Sequence, residues 1–189
     1  MRVNSATWVW SDTHFGHHNI IKFQARPATH EIIMLSNWCR LVDGEDTLLH
    51  LGDLHLRSNW NRWEPLLARM PGRKVLVLGN HDGHGVSKYE RAGFTVVDPF
   101  VASVRKTRVA FTHRPLSSSY RGQPEYLAVR GEEGVWWPDV SELPEWDVNI
   151  HGHIHLNNHR DDDGVLSGRH INVSVEAIDF RPYQLGALL

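Results

Sequence analysis

Five short apolar segments, each followed at once by polar residues, constrain the fold of this chain more than any other feature. The third of them covers residues 75–78 and stops at Gly79-Asn80-His81-Asp82. Short runs of branched aliphatic residues that a glycine closes are typical of buried strands in an α/β sheet. Ligand-binding groups collect beyond the carboxyl ends of such strands. We therefore expect Asn80, His81 and Asp82 to lie together at one edge of a sheet.

The other four apolar segments end in the same way. They are followed by Asp12-Thr13-His14, Gly52-Asp53, Thr112-His113 and Gly152-His153-Ile154-His155. Successive clusters, counted from Asp12 through Asp53, Asn80 and His113 to His153, are separated by 41, 27, 33 and 40 residues. A strand with its crossover and return needs about 30 residues. These spacings are therefore long enough to bring all five strand ends to the same side of the fold.

The residues between the polar clusters show the periodicity of helices and further strands. Helices are predicted at about residues 28–41, 59–70 and 86–92, and additional strands at 95–97, 100–104 and 171–175. Residues 114–145 contain several prolines and little periodicity, which predicts a long loop insertion. No repeat or linker divides the chain, so we expect one domain over residues 1–189.

Composition excludes several classes of protein. The net charge is −2 and the sequence pI about 6.7, so there is no extended basic footprint for nucleic acid. Cys39 is the only cysteine, which rules out an intrachain disulfide and suits a reducing compartment. No apolar run approaches the ~18 residues of a membrane span. We expect a cytoplasmic protein without a membrane partner, and the sequence leaves open whether it is a monomer or a homodimer.

The five clusters supply enough ligands for a metal centre. The seven donors are Asp12, His14, Asp53, Asn80, His113, His153 and His155. Seven are too many for one tetrahedral ion, but they suit two ions that share a bridging carboxylate. Nitrogen and oxygen donors without a thiolate favour Mn²⁺, Fe or Zn²⁺ over a metal that prefers sulfur.

The order of these motifs resembles the calcineurin-like metallophosphoesterase superfamily. The resemblance spans residues 12–155, and residues 11–17 with Arg26-Pro27 are similar to the small, single-domain bacterial and phage phosphoesterases of that superfamily. It implies an α/β (α+β) fold, a four-layer sandwich of two mixed β-sheets flanked by helices. It also implies the division of the ligands: Asp12, His14, Asp53 and His155 for one ion, and Asp53, Asn80, His113 and His153 for the other. Asp53 would bridge the two ions.

The resemblance further implies a hydrolase that cleaves phosphodiester bonds through attack of a hydroxide bridging the two ions. Mn²⁺ is the first choice of cation, with Fe or Zn²⁺ as alternatives. His81 is expected to assist the departing oxygen. In related protein Ser/Thr phosphatases an Asp orients this histidine, and Leu56 stands at that position here. His55 or Asp82 is left to take that role, and we count Asp82 with His81 as a catalytic candidate.

The substrate is expected to be a small phosphodiester, for which 2′,3′-cyclic nucleotides are plausible. His17, Arg26 and Arg114 are candidate substrate contacts, since arginine binds phosphate oxygens bidentately. For each of the three, an ordinary solvated side chain is the alternative. Two other functions stay open at this point. A phosphomonoesterase or nuclease would use the same ligands, and a non-catalytic scaffold would retain the fold.

Overall fold

Two mixed β-sheets with helices beside them form the described part of the chain. The computed structural model describes residues 2–56, 59–82, 85–116, 142–155 and 168–189. Residues 117–141 of the predicted long loop lie outside the described residues. The expected α/β fold with two mixed sheets is confirmed, whereas the single-domain organisation stays a prediction.

The first sheet holds the strands that carry the first three polar clusters. Its strands are β1 (Trp8–Trp10), β2 (Thr47–His50), β3 (Arg73–Val77), β4 (Phe94–Val97) and β9 (Tyr183–Gln184). They lie in the order β4-β3-β2-β1-β9, in which the first four strands are parallel and β9 is antiparallel to β1. Parallel pairing places the carboxyl ends of β1, β2 and β3 at one edge.

The second sheet holds the strands that carry the last two clusters. Its strands are β5 (Phe100–Val104), β6 (Thr107–Phe111), β7 (Val148–His151) and β8 (His170–Asn172), in the order β5-β6-β7-β8. β5 and β6 are antiparallel, and the other two pairs are parallel. Just beyond β1 and β8, Ser11 and Ser174 form an isolated parallel bridge. The carboxyl ends of the two sheets therefore meet.

Helices and aromatic contacts fix the first sheet. The described helices are α1 (Ile20–Phe23), α2 (His30–Leu41), α3 (Trp60–Ala68), α4 (Val86–Arg91) and α5 (Leu185–Leu188). Trp38 of α2 meets Trp10 of β1 edge to face, with ring centroids 5.3 Å apart. Trp63 of α3 stacks on Phe15 at 4.9 Å. Aromatic side chains of this size each bury roughly 150–250 Å², so these contacts hold α2 beside β1 and α3 beside the segment that follows β1.

The three predicted helices are found with their ends shifted by at most two residues. α1, α5 and β9 were not predicted, because elements of two to four residues show no periodicity. None of the described helices is both long enough and apolar enough to cross a membrane.

Candidate metal centre

Two groups of potential metal ligands lie where the two sheets meet. The first cluster is Asp12, His14 and His155, and within it the ligand atoms lie within 4.8 Å of one another. His155 Nε2 is 3.3 Å from His14 Nε2 and 3.5 Å from Asp12 Oδ1. Three donors from the ends of two different strands therefore face a common point.

The second cluster is Asp53, His113 and His153, again within 4.8 Å of one another, and Asn80 adjoins it. His113 Nε2 lies 3.1 Å from Asn80 Oδ1, 3.2 Å from His153 Nδ1 and 3.4 Å from Asp53 Oδ2. The structure thus brings all seven predicted ligands into two adjoining groups.

One carboxylate oxygen connects the two clusters. Asp53 Oδ2 is 3.6 Å from His14 Nε2 in the first cluster and 3.4 Å from His113 Nε2 in the second. Two donor atoms that bind the same cation, each at about 2.0–2.2 Å, lie roughly 2.8–3.6 Å from each other. The separations within and between the clusters therefore suit two cations with Asp53 Oδ2 between them.

Unsatisfied polar atoms also fit bound cations. Asp12 Oδ1 is buried and accepts no hydrogen bond from the described residues, although it faces His14 and His155. A buried polar atom without a partner is costly, and a cation bound at this point would satisfy it. Imidazole and carboxylate donors without sulfur match Mn²⁺, Fe or Zn²⁺. The residues present fit a pair of divalent cations.

Hydrogen bonds behind the site fix which atom of each ligand faces the cations. Asp12 Oδ2 accepts hydrogen bonds from His153 N at 2.8 Å and from Ser174 Oγ at 3.1 Å, which leaves Oδ1 for a cation. Asp53 Oδ1 accepts one from His81 N at 2.8 Å, which leaves Oδ2. His113 Nδ1 donates to the Leu51 carbonyl at 2.7 Å, so that its Nε2 is the ligating nitrogen.

The backbone at the ligands adopts an uncommon conformation. Five of the seven predicted ligands have positive φ: Asp12 at 60°, His14 at 48°, Asp53 at 55°, His153 at 73° and His155 at 50°. Left-handed backbone is uncommon at non-glycine residues, and where the surrounding structure imposes it, it clusters at functional sites. No sequence motif specifies this backbone conformation.

Two motif glycines allow the chain segments to approach each other closely. A Cβ at Gly79 would collide with the Asp53 carboxylate, and a Cβ at Gly152 would collide with Asp12 Oδ2 and Ser11 Oγ. The glycines in the Gly-Asn-His-Asp and Gly-His-x-His motifs are therefore needed for the space that the two aspartates occupy.

Burial and charge set the protonation of the ligands. Burial lowers the pKa of His14 and of His153 well below the usual value, so both imidazoles are neutral and able to bind a cation. Burial also lowers the pKa of His113, but the Asp53 carboxylate more than offsets this and raises it to about 9. Burial raises the pKa of Asp53, yet His113 and His14 together hold it well below its usual range. Asp53 is therefore ionised, and a cation would displace the His113 proton.

His81 and Asp82 are neighbours that occupy different environments. The His81 side chain is 46% exposed, and its Nε2 lies 4.0 Å from Asp53 Oδ2. Its ring centroid is 5.4 Å from that of His14. His81 therefore lies at the mouth of the metal centre, where a substrate would approach, and its catalytic role stays a prediction.

Asp82 is fully buried, whereas His81 is exposed. Its carboxylate accepts hydrogen bonds from the backbone N–H groups of Asp53, Leu54 and Gly79 at 2.8, 2.9 and 2.7 Å. Tyr89 Oη donates a further one at 3.1 Å. These contacts are those of a residue that positions Asp53, whereas the sequence led us to count Asp82 as a catalytic candidate that could orient His81. That catalytic role stays a prediction. His55, the other residue considered for orienting His81, is buried with its ring 5.1 Å from that of Trp60.

The three candidate substrate contacts are placed differently. His17 is partly buried with its ring centroid 5.7 Å from that of His14, beside the first cluster. Arg114 lies near the second cluster, since its charge contributes, after burial and the charge of His113, to the low pKa of His153. Both side chains lie near the metal centre, and their contacts with substrate stay predictions.

The sequence suggested that Arg26 contacts substrate, but its guanidinium is not available for this. Its side chain is fully buried, and the guanidinium donates to the carbonyl oxygens of Asp12 and Thr13 and to the carboxylate of Glu176. We correct the expected substrate contact accordingly, because these donors are engaged within the protein.

Glu176 is the site residue that the sequence reasoning missed. Its Oε1 lies 3.0 Å from His155 Nδ1, and burial opposes but does not prevent its ionisation, because His155 and Arg26 lower its pKa. Glu176 directly follows residues 171–175, the last predicted strand. The rule that singled out the other clusters, polar groups immediately after a predicted strand, could therefore have found it.

The fold and the paired ligand clusters define the class of metal-dependent hydrolases, and the comparisons give the family. A model of the calcineurin-like phosphoesterase family matches residues 6–166. The chain belongs to this family, and the resemblance inferred from its motifs is confirmed.

Related proteins cover almost the whole chain. An uncharacterized protein of Methanocaldococcus jannaschii is 30% identical over 187 residues, which are 95% of this chain and 86% of that protein. The Gene 66 protein of Mycobacterium phage L5 is 27% identical over 177 residues, 89% of this chain and 83% of the relative. A solved structure of a protein of unknown function from Aquifex aeolicus has a TM-score of 0.68 and 28% identity, and the match covers 93% of each chain.

Proposed function

We propose that this protein is a dinuclear metal-dependent phosphodiesterase that hydrolyses small substrates such as 2′,3′-cyclic nucleotides, with Mn²⁺ as the first choice of cation. The observation that carries the proposal is the position of Asp53 Oδ2, 3.6 Å from His14 Nε2 and 3.4 Å from His113 Nε2. A carboxylate shared in this way suits two cations about 3.5–4 Å apart, the separation typical of enzymes that displace a group at phosphorus.

Bound at these clusters, the two cations supply an activated water at neutral pH and offset the charge on the phosphoryl oxygens. The chain supplies the positioning. Asp12 and Asp53 each have one oxygen fixed by hydrogen bonds, so the ligand geometry is set before substrate arrives. His81 is exposed at the mouth of the site and can donate a proton to the departing oxygen.

The use of Arg26 within the protein supports a diester over a monoester. A phosphomonoester carries up to two negative charges, whereas a phosphodiester carries one. The Arg26 guanidinium could have matched the second charge, but it is committed to Glu176 and to the carbonyl of Asp12. With Arg26 engaged, Arg114 is the arginine candidate left for the phosphoryl oxygens, and a single arginine suits a singly charged phosphoryl group better.

The charge of the chain supports a small substrate over a polymer. A net charge of −2 provides no electrostatic attraction for an extended phosphate backbone. Base-specific reading is not required for a cyclic nucleotide, since the ring phosphate alone can occupy the metal centre. This favours a phosphodiesterase of small molecules over a nuclease.

Turnover by purified, Mn²⁺-loaded protein tests the proposal. The substrates are a bis-aryl phosphodiester, a 2′,3′-cyclic nucleotide, an aryl phosphomonoester and a single-stranded oligonucleotide. We expect the two small diesters to be cleaved fastest, and Asn80→Ala to abolish this activity because a ligand of the second cluster is lost. Asn61→Ala, on the exposed face of α3, is the matched control and should retain it.

Each alternative gives a different result in the same assay. Faster cleavage of the monoester would make the protein a phosphomonoesterase, and faster cleavage of the oligonucleotide would make it a nuclease. No product from any substrate, with Asn80→Ala indistinguishable from the unaltered protein, would contradict the proposal and favour a scaffold.

A further inference from the structure

Behind the first cluster, a buried glutamate and a buried arginine from distant parts of the chain are paired. We propose that Glu176 and Arg26 act as a positioning pair for the first cation site, and for that site alone. The inference rests on the proposed function only in requiring that the centre binds two cations. Glu176 lies beyond residues 6–166, so the family match itself does not include this pair.

Glu176 fixes the orientation of one ligand. Its side chain is 3% exposed, and its Oε1 accepts a hydrogen bond from His155 Nδ1 at 3.0 Å. Donation from Nδ1 leaves His155 Nε2 as the ligating nitrogen, and this atom faces Asp12 Oδ1 at 3.5 Å. A carboxylate in this position holds the imidazole ring and makes it a better ligand.

Arg26 connects Glu176 to the other two ligands of the first cluster. Its guanidinium is 2.6 Å from Glu176 Oε1, and it donates to the carbonyl oxygens of Asp12 at 2.6 Å and Thr13 at 2.9 Å. These carbonyls belong to the turn that carries Asp12 and His14. One guanidinium therefore holds that turn directly and holds His155 through Glu176.

The charge of each partner depends on the other. Glu176 Oε2 is buried and accepts no hydrogen bond from the described residues, so the Arg26 guanidinium is the cation that compensates the carboxylate. A buried charge without its partner is strongly destabilising, whereas replacing both partners by neutral groups is often tolerated. This difference allows positioning to be separated from folding by experiment.

His113 and Asp53 of the second cluster are held by groups other than Glu176 and Arg26. His113 donates to the Leu51 carbonyl, and Asp53 is held by its hydrogen bonds with His81 and with the Asp82 carboxylate. Loss of the Glu176–Arg26 pair should therefore weaken the first cation site and leave the affinity of the second unchanged.

The test is calorimetric titration of metal-free protein with Mn²⁺, together with the electron paramagnetic resonance spectrum of the exchange-coupled Mn²⁺ pair. Glu176→Gln keeps an acceptor for His155 but removes the charge, which leaves Arg26 buried and unpaired. The double variant Arg26→Met/Glu176→Gln removes both charges. It can be titrated in place of the single variant if the single variant does not fold. Glu64→Gln is the control, because Glu64 pairs with Arg91 on the surface at 3.2 Å.

A His153→Ala protein, which lacks a ligand of the second cluster, assigns each binding step to its site. We expect the unaltered protein and Glu64→Gln to bind two Mn²⁺ ions. We expect Glu176→Gln and the double variant to bind the first-site cation about 10–100-fold more weakly, with the second-site affinity unchanged and the coupled spectrum lost at limiting Mn²⁺.

Two results would overturn the inference while the proposed function stands: both affinities unchanged in the folded variants, or equal losses at both sites. Failure of the unaltered protein to bind two cations would instead overturn the proposed function, and this inference with it.

Discussion

Replacing Asp82 by asparagine separates a positioning role from a catalytic one. Asp82 Oδ2 accepts hydrogen bonds from Asp53 N and Gly79 N, and Oδ1 accepts from Leu54 N and Tyr89 Oη. Asparagine offers one oxygen and one NH₂ group. With the NH₂ group toward Leu54 N and Tyr89 Oη, only Leu54 N loses its acceptor, because the Tyr89 hydroxyl, which also donates to the Asp82 carbonyl at 2.6 Å, can accept from the NH₂ group. The reverse orientation leaves two backbone N–H groups facing a donor and is therefore disfavoured.

The cost follows from the number of unsatisfied groups. A buried donor without an acceptor costs about 1–3 kcal/mol, so Asp82→Asn should lower the free energy of unfolding by roughly 1–3 kcal/mol. A domain of this size loses about 2–4 °C of Tm per kcal/mol, which predicts a decrease of about 2–12 °C. The hydrogen bond from Asp53 N would also lose its charged acceptor, so Mn²⁺ binding should weaken.

Thermal unfolding of the metal-free protein by circular dichroism measures the first effect, and titration with Mn²⁺ measures the second. Asp98→Asn, at an exposed position, is the matched control and should change neither. A variant at Asp82 with unchanged Tm and Mn²⁺ affinity but a lower kcat would refute the reasoning. It would show instead that the carboxylate takes part in the reaction.

Three further changes test other parts of the account. Gly152→Ala should abolish Mn²⁺ binding at the first site because its Cβ overlaps the Asp12 carboxylate, whereas Gly44→Ala, with open space around it, should bind normally; equal affinities would contradict the packing argument. His81→Gln should slow the hydrolysis of alkyl diesters about 10²–10⁴-fold and that of aryl diesters far less, because a good leaving group needs no proton. Equal losses in kcat for the two substrates would exclude proton donation. Burial lowers the pKa of His50 to about 3, so the stability it contributes is full above pH 6.5 and is lost as the pH falls. The free energy of unfolding of His50→Gln, measured in urea with a chelator present, should therefore fall with decreasing pH less steeply, by about 1.4 kcal/mol per pH unit. An unchanged dependence on pH would refute this.

The ligands of the metal centre could be predicted from the sequence because the rule behind them is local. Asp12, Asp53 and Asn80 each follow an apolar strand, and parallel pairing places the ends of those strands at one edge. Which oxygen of each carboxylate is available to a cation depends on which one is already hydrogen-bonded. That information lies in contacts between distant segments, such as the one from His153 N to Asp12 Oδ2 across 141 residues.

Where the sequence misled, the reason is long-range pairing or the direction of a side chain. Arg26 follows the first motif closely, which suggested a phosphate contact, but its partner Glu176 lies 150 residues away. Adjacent residues in a turn point in different directions, so His81 is exposed while Asp82 is buried. Periodicity describes whole helices and strands and contains neither kind of information.

Anomalous diffraction at the manganese edge, from crystals grown with Mn²⁺, tests the central claim most directly. The account predicts two peaks about 3.5–4 Å apart, one among Asp12, His14 and His155 and the other among Asn80, His113 and His153, with a carboxylate oxygen of Asp53 between them. A single peak with tetrahedral ligands, or two peaks that Asp53 does not join, would contradict it.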